Sequence, residues 1–246
     1  HFANYHSIFH GNDGMPAGTG VYWSLAVEEH FYLVFPLLYL GLLKARLSPR
    51  SQIAVLLVIS AVVLAWRCYL IRVLHVDEHR TFYATDTRLD SILFGSMLAI
   101  LGNPVLDPQR GSGTLWKFVL LPLGLAIIAG GLVYREPAFR ETFRYTLQGL
   151  ALIPVFVVAI RWPQWGPFAI LNWGWVRKMG VLTYPLYLVH FTLLYAAELY
   201  LPQLHWTLQG VIALVASFAL AVALHRLVEV PFTRLTRKRT PHLPGA

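Results

Sequence analysis

The stretch QIAVLLVISAVVLAWRCYLI, Gln52 to Ile71, decides the fold. A helix needs roughly 20 mostly apolar residues to cross the hydrocarbon of a bilayer, and this run has that length and character. Five more runs share it: Val21 to Leu43, Leu115 to Tyr134, Phe143 to Ile160, Met179 to Leu199, and Leu208 to Val228. A seventh, Arg88 to Leu101, is shorter. It spans if it begins near Phe82, or it is partly re-entrant. The reading is an all-α, polytopic transmembrane helix bundle of about seven spans.

Composition agrees. Hydrophobic residues make up 57% and charged residues 13%, and the mean hydropathy is +0.55. Soluble domains carry roughly a quarter charged residues, so a soluble chain of this make-up would leave too much apolar surface in water. The net charge is +8. In a soluble protein that would raise nucleic acid as a partner. Here the basic residues sit between apolar runs, which excludes that reading in favour of a positive-inside topology. The lone cysteine, Cys68, excludes an internal disulfide framework and a cysteine-based zinc site. It reads as a packed small residue.

The loops support an odd number of spans. Lys44, Arg46 and Arg50 follow the first. Arg161, Arg177 and Lys178 precede the sixth. Arg234, Arg237, Lys238 and Arg239 follow the last. With the Arg110 loop, these clusters fall on one side if the spans alternate. The opposite loops are neutral or mixed: Asp13; Asp77, Glu78 and Arg80; Arg135, Glu136, Arg140 and Glu141; and no Lys or Arg between Leu199 and Leu208. The positive-inside rule then puts the C-terminus in the cytoplasm. The expected division is an extracytoplasmic leading segment 1–20, a transmembrane domain 21–232 and a basic cytoplasmic tail 233–246, frayed from Pro241 to Ala246. Trp23, Trp116, Trp173, Trp175 and Trp206 stand near span ends as interfacial anchors. The chain opens on His1 without a signal segment ahead of the first span, which suggests processing or a fragment of a longer protein.

Ionisable groups inside spans are costly and mark candidate sites. In Trp23-Ser24-Leu25-Ala26-Val27-Glu28-Glu29-His30-Phe31-Tyr32, helical spacing puts Ser24, Glu28 and Tyr32 on one face. Glu29 points elsewhere, so the two carboxylates are not a facing pair. Glu28 is either a functional carboxylate or a structural one paired to an arginine on another helix. His30 reads as a bland interfacial residue. In Thr85-Asp86-Thr87-Arg88-Leu89-Asp90, Thr85 is the expected N-cap and Asp86 suits the positive end of the helix dipole. Arg88 and Asp90 face different ways and each needs its own partner. Arg88 suits a phosphate, a carboxylate or Glu28. For both residues ligand contact and structural ion pairing stay open. Ser91 and Gly95 form a small-residue stripe for close packing. In the sixth span Thr183, Tyr187 and His190 share a face, and Pro185 frees a carbonyl that needs another partner. No second histidine stands at metal-ligand spacing from His190, so no metal site is read. Arg226 and Glu229 read as an ion pair that pins the last span before a stop at Pro231, with His225 four residues before Glu229.

Four of these stretches together resemble the membrane-bound acyltransferase 3 family. Trp23-Ser24-Leu25-Ala26-Val27-Glu28, continuing through Phe31-Tyr32-Leu33 to Pro36, is similar to its tryptophan-serine-leucine…glutamate…phenylalanine-tyrosine…proline signature. Thr87-Arg88-Leu89-Asp90-Ser91 with Gly95 resembles its arginine/aspartate helix. Thr183-Tyr184-Pro185-Leu186-Tyr187-Leu188-Val189-His190 resembles its late helix, where serine is commoner than Pro185. Leu227-Val228-Glu229-Val230-Pro231-Phe232 resembles its terminal motif.

The resemblance implies an integral-membrane O-acyltransferase of the bacterial cytoplasmic membrane. It would take an acyl group, usually acetyl, from acyl-CoA and deliver it to a hydroxyl of a glycan, lipid or natural product. No bound cofactor is expected, since acyl-CoA is the donor substrate. Partners are the bilayer, acyl-CoA and a carbohydrate or lipid acceptor. The site residues it implies are Glu28 and His190 as catalytic, with Ser24, Tyr32, Arg88, Asp90 and Tyr187 binding substrate. The family's proposed catalytic histidine lies on a first helix, after a basic residue. That helix and the serine-glycine-phenylalanine stretch after it have no counterpart here, and His1, His6 and His10 do not replace them. The chain therefore reads as the later two-thirds or so of a family member. The alternatives are an inactive remnant, or a transporter or flippase of a lipid-linked sugar. The missing internal repeat speaks against transport.

Overall fold

The computed structural model describes residues 2–11, 16–108 and 111–239, without the side chains of 236–239. His1, Asp13, Arg110 and the tail Pro241–Ala246 lie outside the described residues, as do the side chains of Arg237, Lys238 and Arg239.

Helices account for every regular element among the described residues. In order they are α1 (Ala3–His10), α2 (Trp23–Lys44), α3 (Pro49–Arg72), α4 (Glu78–Tyr83), α5 (Leu89–Gly102), α6 (Gly113–Val133), α7 (Pro137–Glu141), α8 (Phe143–Arg161), α9 (Gly174–Tyr200), α10 (Trp206–Leu224) and α11 (Val230–Arg239). Six stretches are long and apolar enough to cross a membrane: α2 with its lead-in, α3, α6, α8, α9, and α10 with its extension. The shorter apolar α5 makes the seventh element. This is the expected polytopic bundle. The long helices keep large apolar side chains on their outer faces, among them Leu33, Leu37, Val58, Val62, Val211 and Val215. In lipid such faces are solvated. Trp173, Trp175 and Trp206 are exposed at the starts of α9 and α10, as anchors should be.

The chain divides into two compact units. Residues 1–13 and 22–169 form the first; residues 14–21 and 170–246 form the second. In the first, Phe31 of α2, Leu56 of α3, and Leu93, Phe94 and Met97 of α5 make the buried apolar core. Ser48 caps α3 by accepting from the Ser51 N–H, and Pro49 follows at the first helical position. Close approach onto α5 is made by Gly149 of α8. A Cβ there would lie 2.7 Å from a Phe94 ring carbon and 3.4 Å from Ser91 Cα. Of the expected Ser91/Gly95 stripe, Ser91 is at this contact, whereas the space beside Gly95 is open. Gly124 does the same between α6 and α8, where a Cβ would meet the Ala151 carbonyl oxygen at 2.6 Å.

The second unit is built on the α9–α10 hairpin. Gly18 to Val21 lie against α9. Gly18 has φ +76°, and a Cβ on it would lie 2.4 Å from Thr192 Cα. Thr192 Oγ1 donates to the Gly18 carbonyl at 3.3 Å, and Tyr187 OH donates to the Val21 carbonyl. Two expectations change at the far end. The chain does not stop at Pro231: a π-helical turn, His225–Glu229, precedes α11. The wider turn shifts the hydrogen-bond ladder just where proline lacks its N–H. And Glu229 pairs with His225, Oε2 to Nδ1 2.7 Å, rather than with Arg226.

Candidate active site

In the first unit the decisive local feature is a buried arginine. Arg67 of α3 and Asp90 of α5 have no exposed side-chain surface. Arg67 Nη1 donates to Asp90 Oδ1 at 3.0 Å and to the Thr87 carbonyl at 2.6 Å. Nη2 donates to Asp90 Oδ2 at 2.7 Å and to Thr146 Oγ1. Thr146 passes its own proton to Asp90 Oδ2 at 2.6 Å. Asp90 thus finds its partner on α3 and spends both oxygens inside the protein. Arg67 lies within the Gln52–Ile71 run, where the apolar surroundings hid it from the sequence reading. The available signal was an ionisable residue inside a span.

This clamp sets the chain just before α5. With the Thr87 carbonyl held by Arg67 and the Arg88 N–H donating to the Thr85 carbonyl at 3.0 Å, the Arg88 side chain turns away from Asp90. Its guanidinium stacks 3.7 Å from the Tyr145 ring centroid and 4.7 Å from that of Phe82, with Trp23 at 5.6 Å. Nε donates to the Phe82 carbonyl at 2.9 Å. Among the described residues no ion pair joins Arg88 to Glu28, so a pairing of those two is not formed. The Nη groups of Arg88 keep their donors, and the aromatic box fixes their direction.

Thr85 is not the cap of α5. A 3₁₀ turn, Thr85–Thr87, intervenes, and Arg88 occupies the cap position without a side-chain bond. Thr85 instead joins a chain of hydrogen bonds. Asn4 Nδ2 donates to Thr85 Oγ1 at 2.9 Å, and Thr85 Oγ1 lies 2.8 Å from His30 Nδ1. Either the hydroxyl donates to Nδ1 or Nδ1–H donates to the hydroxyl, and the other ring nitrogen is Nε2. That nitrogen is buried without a partner. His30, read as bland, is thus bonded to Thr85, which no local spacing joins to it. Asp86 accepts from Arg80 at 2.6 and 3.0 Å and from Trp66 Nε1 at 2.7 Å, instead of facing the helix end. Burial pushes its carboxyl up, but the bonds from Arg80 and Trp66 and the Arg80 charge outweigh this and hold it below the ordinary carboxylate range.

Ser24, Glu28 and Tyr32 do share a face of α2. Glu28 and Tyr32 are exposed, and Ser24 is half-buried. Glu28 makes no hydrogen bond or ion pair with another described residue. Beside this face, Phe2, Glu29, His30, Tyr32 and Leu33 line an open depression of about 630 Å³.

His190 and Tyr187 lie in the second unit, on the α9 turn after Pro185. His190 Nδ1 is 2.8 Å from the Tyr187 carbonyl and 3.2 Å from that of Leu186. Carbonyls only accept, so Nδ1 carries a proton and the neutral ring presents its lone pair at Nε2. Thr183 turns its hydroxyl back to the Gly180 carbonyl at 2.7 Å.

The chain matches the family model described as an acyltransferase domain over residues 2–226. It is 28% identical over 233 residues to the O-acetyltransferase OatA of Staphylococcus aureus strain NCTC 8325, covering 90% of this chain and 37% of that protein. It is 26% identical over 247 residues to the peptidoglycan O-acetyltransferase OatA of Listeria monocytogenes, covering 94% of this chain and 39% of the relative. The putative peptidoglycan O-acetyltransferase YrhL of Bacillus subtilis is 28% identical over 212 residues, covering 78% and 31%. The chain therefore spans about a third of the length of these relatives. No solved structure matches. With six apolar spans, the four motifs in order and a family match over nearly its whole length, this integral-membrane chain belongs to the acyltransferase 3 family.

Proposed function

We propose that the chain is the transmembrane catalytic region of an O-acetyltransferase that moves an acetyl group from acetyl-CoA to a carbohydrate hydroxyl. The observation that carries this reading is His190. Its Nδ1–H is anchored to backbone carbonyls, so Nε2 is a base of fixed direction on a helix within a membrane domain. The names of the relatives support acetyl as the group and a cell-wall glycan as the acceptor.

The acceptor hydroxyl attacks the thioester carbonyl while Nε2 of His190 takes its proton. The C–O bond forms, the C–S bond breaks, and the coenzyme leaves as a thiolate that recovers a proton. The Glu28 carboxylate, open on α2, is placed to hold a cationic or proton-bearing partner. Arg88, boxed by aromatic rings, directs its Nη donors at developing negative charge or at an acceptor oxygen. Ser24 and Tyr32, on the same face of α2 as Glu28, offer hydroxyls for orienting the acceptor, while Tyr187, whose OH donates to the Val21 carbonyl, helps fix the α9 turn that carries His190. Asp90 acts at one remove: it secures Arg67, and through the Thr87 carbonyl the start of α5 that presents Arg88. The basic loops support a C-terminus in the cytoplasm of a bacterial cell, on the side of the proposed donor.

The test is transfer of labelled acetyl from acetyl-CoA to a glycan acceptor by the full chain in lipid vesicles. Wild-type protein should label the acceptor with an alkali-labile ester, and Glu28→Gln should lower the rate at unchanged expression. Full transfer by Glu28→Gln would remove Glu28 from the mechanism. No labelling by wild type with any acyl-CoA would remove the donor assignment.

A further inference from the structure

The segment from the end of α6 to the first turn of α8 carries three arginines, Arg135, Arg140 and Arg144, and two glutamates that form no ion pair with them. Glu136 is committed to capping α7, accepting from the Ala138 and Phe139 N–H groups. Glu141 is buried, and its Oε2 accepts from Thr81 Oγ1 at 3.0 Å and from Tyr145 OH at 3.1 Å. The ion pairs found among the described residues are Arg67–Asp90, Arg80–Asp86 and His225–Glu229. None of the three arginines is in one.

They instead surround empty space. A cavity of about 240 Å³ is lined by Leu132, Arg135, Arg140 and Arg144. A second, of about 210 Å³, shares Arg140 and Arg144 and adds His79, Glu78 and Glu141. Arg144 is held from below: Nη2 lies 3.4 Å from Tyr145 OH, and the guanidinium sits 5.1 Å from the Tyr145 ring centroid. Its Nε is buried with no partner. Three guanidinium groups that line two adjoining cavities and form no ion pair among the described residues point to an anion with several acceptor oxygens. The location narrows the class. The cluster follows directly on α6, where Leu132, Val133 and Tyr134 are exposed. A ligand with its charge here has an apolar helix surface beside it.

We propose that Arg135, Arg140 and Arg144 form a binding site for a phosphate group at the membrane interface. The phosphate of an acidic lipid headgroup and a soluble diphosphate offer the same chemistry, and the experiment separates them. The site is independent of the acyl-transfer reading. It borders that machinery through Tyr145, which also stacks on Arg88.

The experiment places the full chain in phosphatidylcholine nanodiscs and titrates either phosphatidylglycerol, followed by native mass spectrometry, or inorganic pyrophosphate, followed by calorimetry. Each lost guanidinium–phosphate contact should weaken binding by about tenfold or more. Wild type should retain phosphatidylglycerol, Arg140→Gln should weaken it by that factor, and Arg135→Gln/Arg140→Gln should abolish it. Arg50→Gln, in the first turn of α3, should leave it unchanged. Arg135 and Arg140 have no hydrogen-bonded role in the fold, so these variants stay folded where Arg144→Gln risks Tyr145. Pyrophosphate that binds wild type but not the variants, with no lipid retained, supports the site and makes a soluble phosphate its ligand. Equal affinity of wild type and the double variant for both probes, or no binding of either, overturns the proposal.

Discussion

Arg67→Met removes the cation from the fully buried pair and keeps most of its stem. Asp90 then keeps one hydroxyl bond, from Thr146, and the Thr87 carbonyl loses its donor. Breaking a buried pair from one side typically costs about 3–5 kcal/mol, because an uncompensated charge stays behind. Asp90→Asn from the other side should cost a similar amount. Together, Arg67→Met/Asp90→Asn leaves no buried charge, only an unpaired Thr87 carbonyl and a poorly paired amide, each about 1–3 kcal/mol. The double variant should therefore be no worse than either single one, and the coupling energy should be several kcal/mol. Reversible unfolding of the chain in mixed micelles by increasing SDS measures all four corners of the cycle. Additive single changes, or an Arg67→Met cost below about 1 kcal/mol, would refute the claim that the pair is one coupled unit.

Three further outcomes follow from geometry. Gly18→Ala places a side chain at positive φ and 2.4 Å from the Thr192 backbone; strain of about 1–3 kcal/mol should free residues 16–21, seen as faster amide exchange there. Gly124→Ala should cost about 1–3 kcal/mol by overpacking α6 on α8, visible as a lower unfolding midpoint. Asp86 has its carboxyl held low, so it is ionised and adds stability above the unfolded carboxylate range, and that contribution fades as pH falls through its folded value. Asp86→Asn should therefore be less stable than wild type at neutral pH, and the two unfolding midpoints should converge in strong acid.

The spans were legible because lipid imposes length and apolarity on contiguous residues. The Gln52–Ile71 run and its companions end within seven residues of the ends of the apolar helical stretches. The shared faces were legible for the same reason: Ser24 with Glu28 and Tyr32, and Tyr187 with His190, follow from helical period alone. Partners across helices were not. Nothing local joins Arg67 to Asp90, or Asn4 through Thr85 to His30, because those pairings are made by packing. Local spacing also misassigned Glu229, which stands four residues from His225 and three from Arg226. The π turn, which spacing does not announce, settled that choice and carried the helix past Pro231. Thr85 and Asp86 looked like cap residues; a 3₁₀ turn and the side chains of His30, Arg80 and Trp66 took them instead.

The central claim is that His190 is a base whose free Nε2 receives the proton of an acceptor hydroxyl. The direct measurement is single-turnover acetyl transfer by the full chain in vesicles, comparing wild type with His190→Gln at matched folding. The amide of Gln accepts hydrogen bonds but does not take up a proton at neutral pH. General-base catalysis contributes about 10²–10⁴-fold, so His190→Gln should slow transfer by that factor while acetyl-CoA binding stays within about twofold. A transfer rate within threefold of wild type would contradict the account.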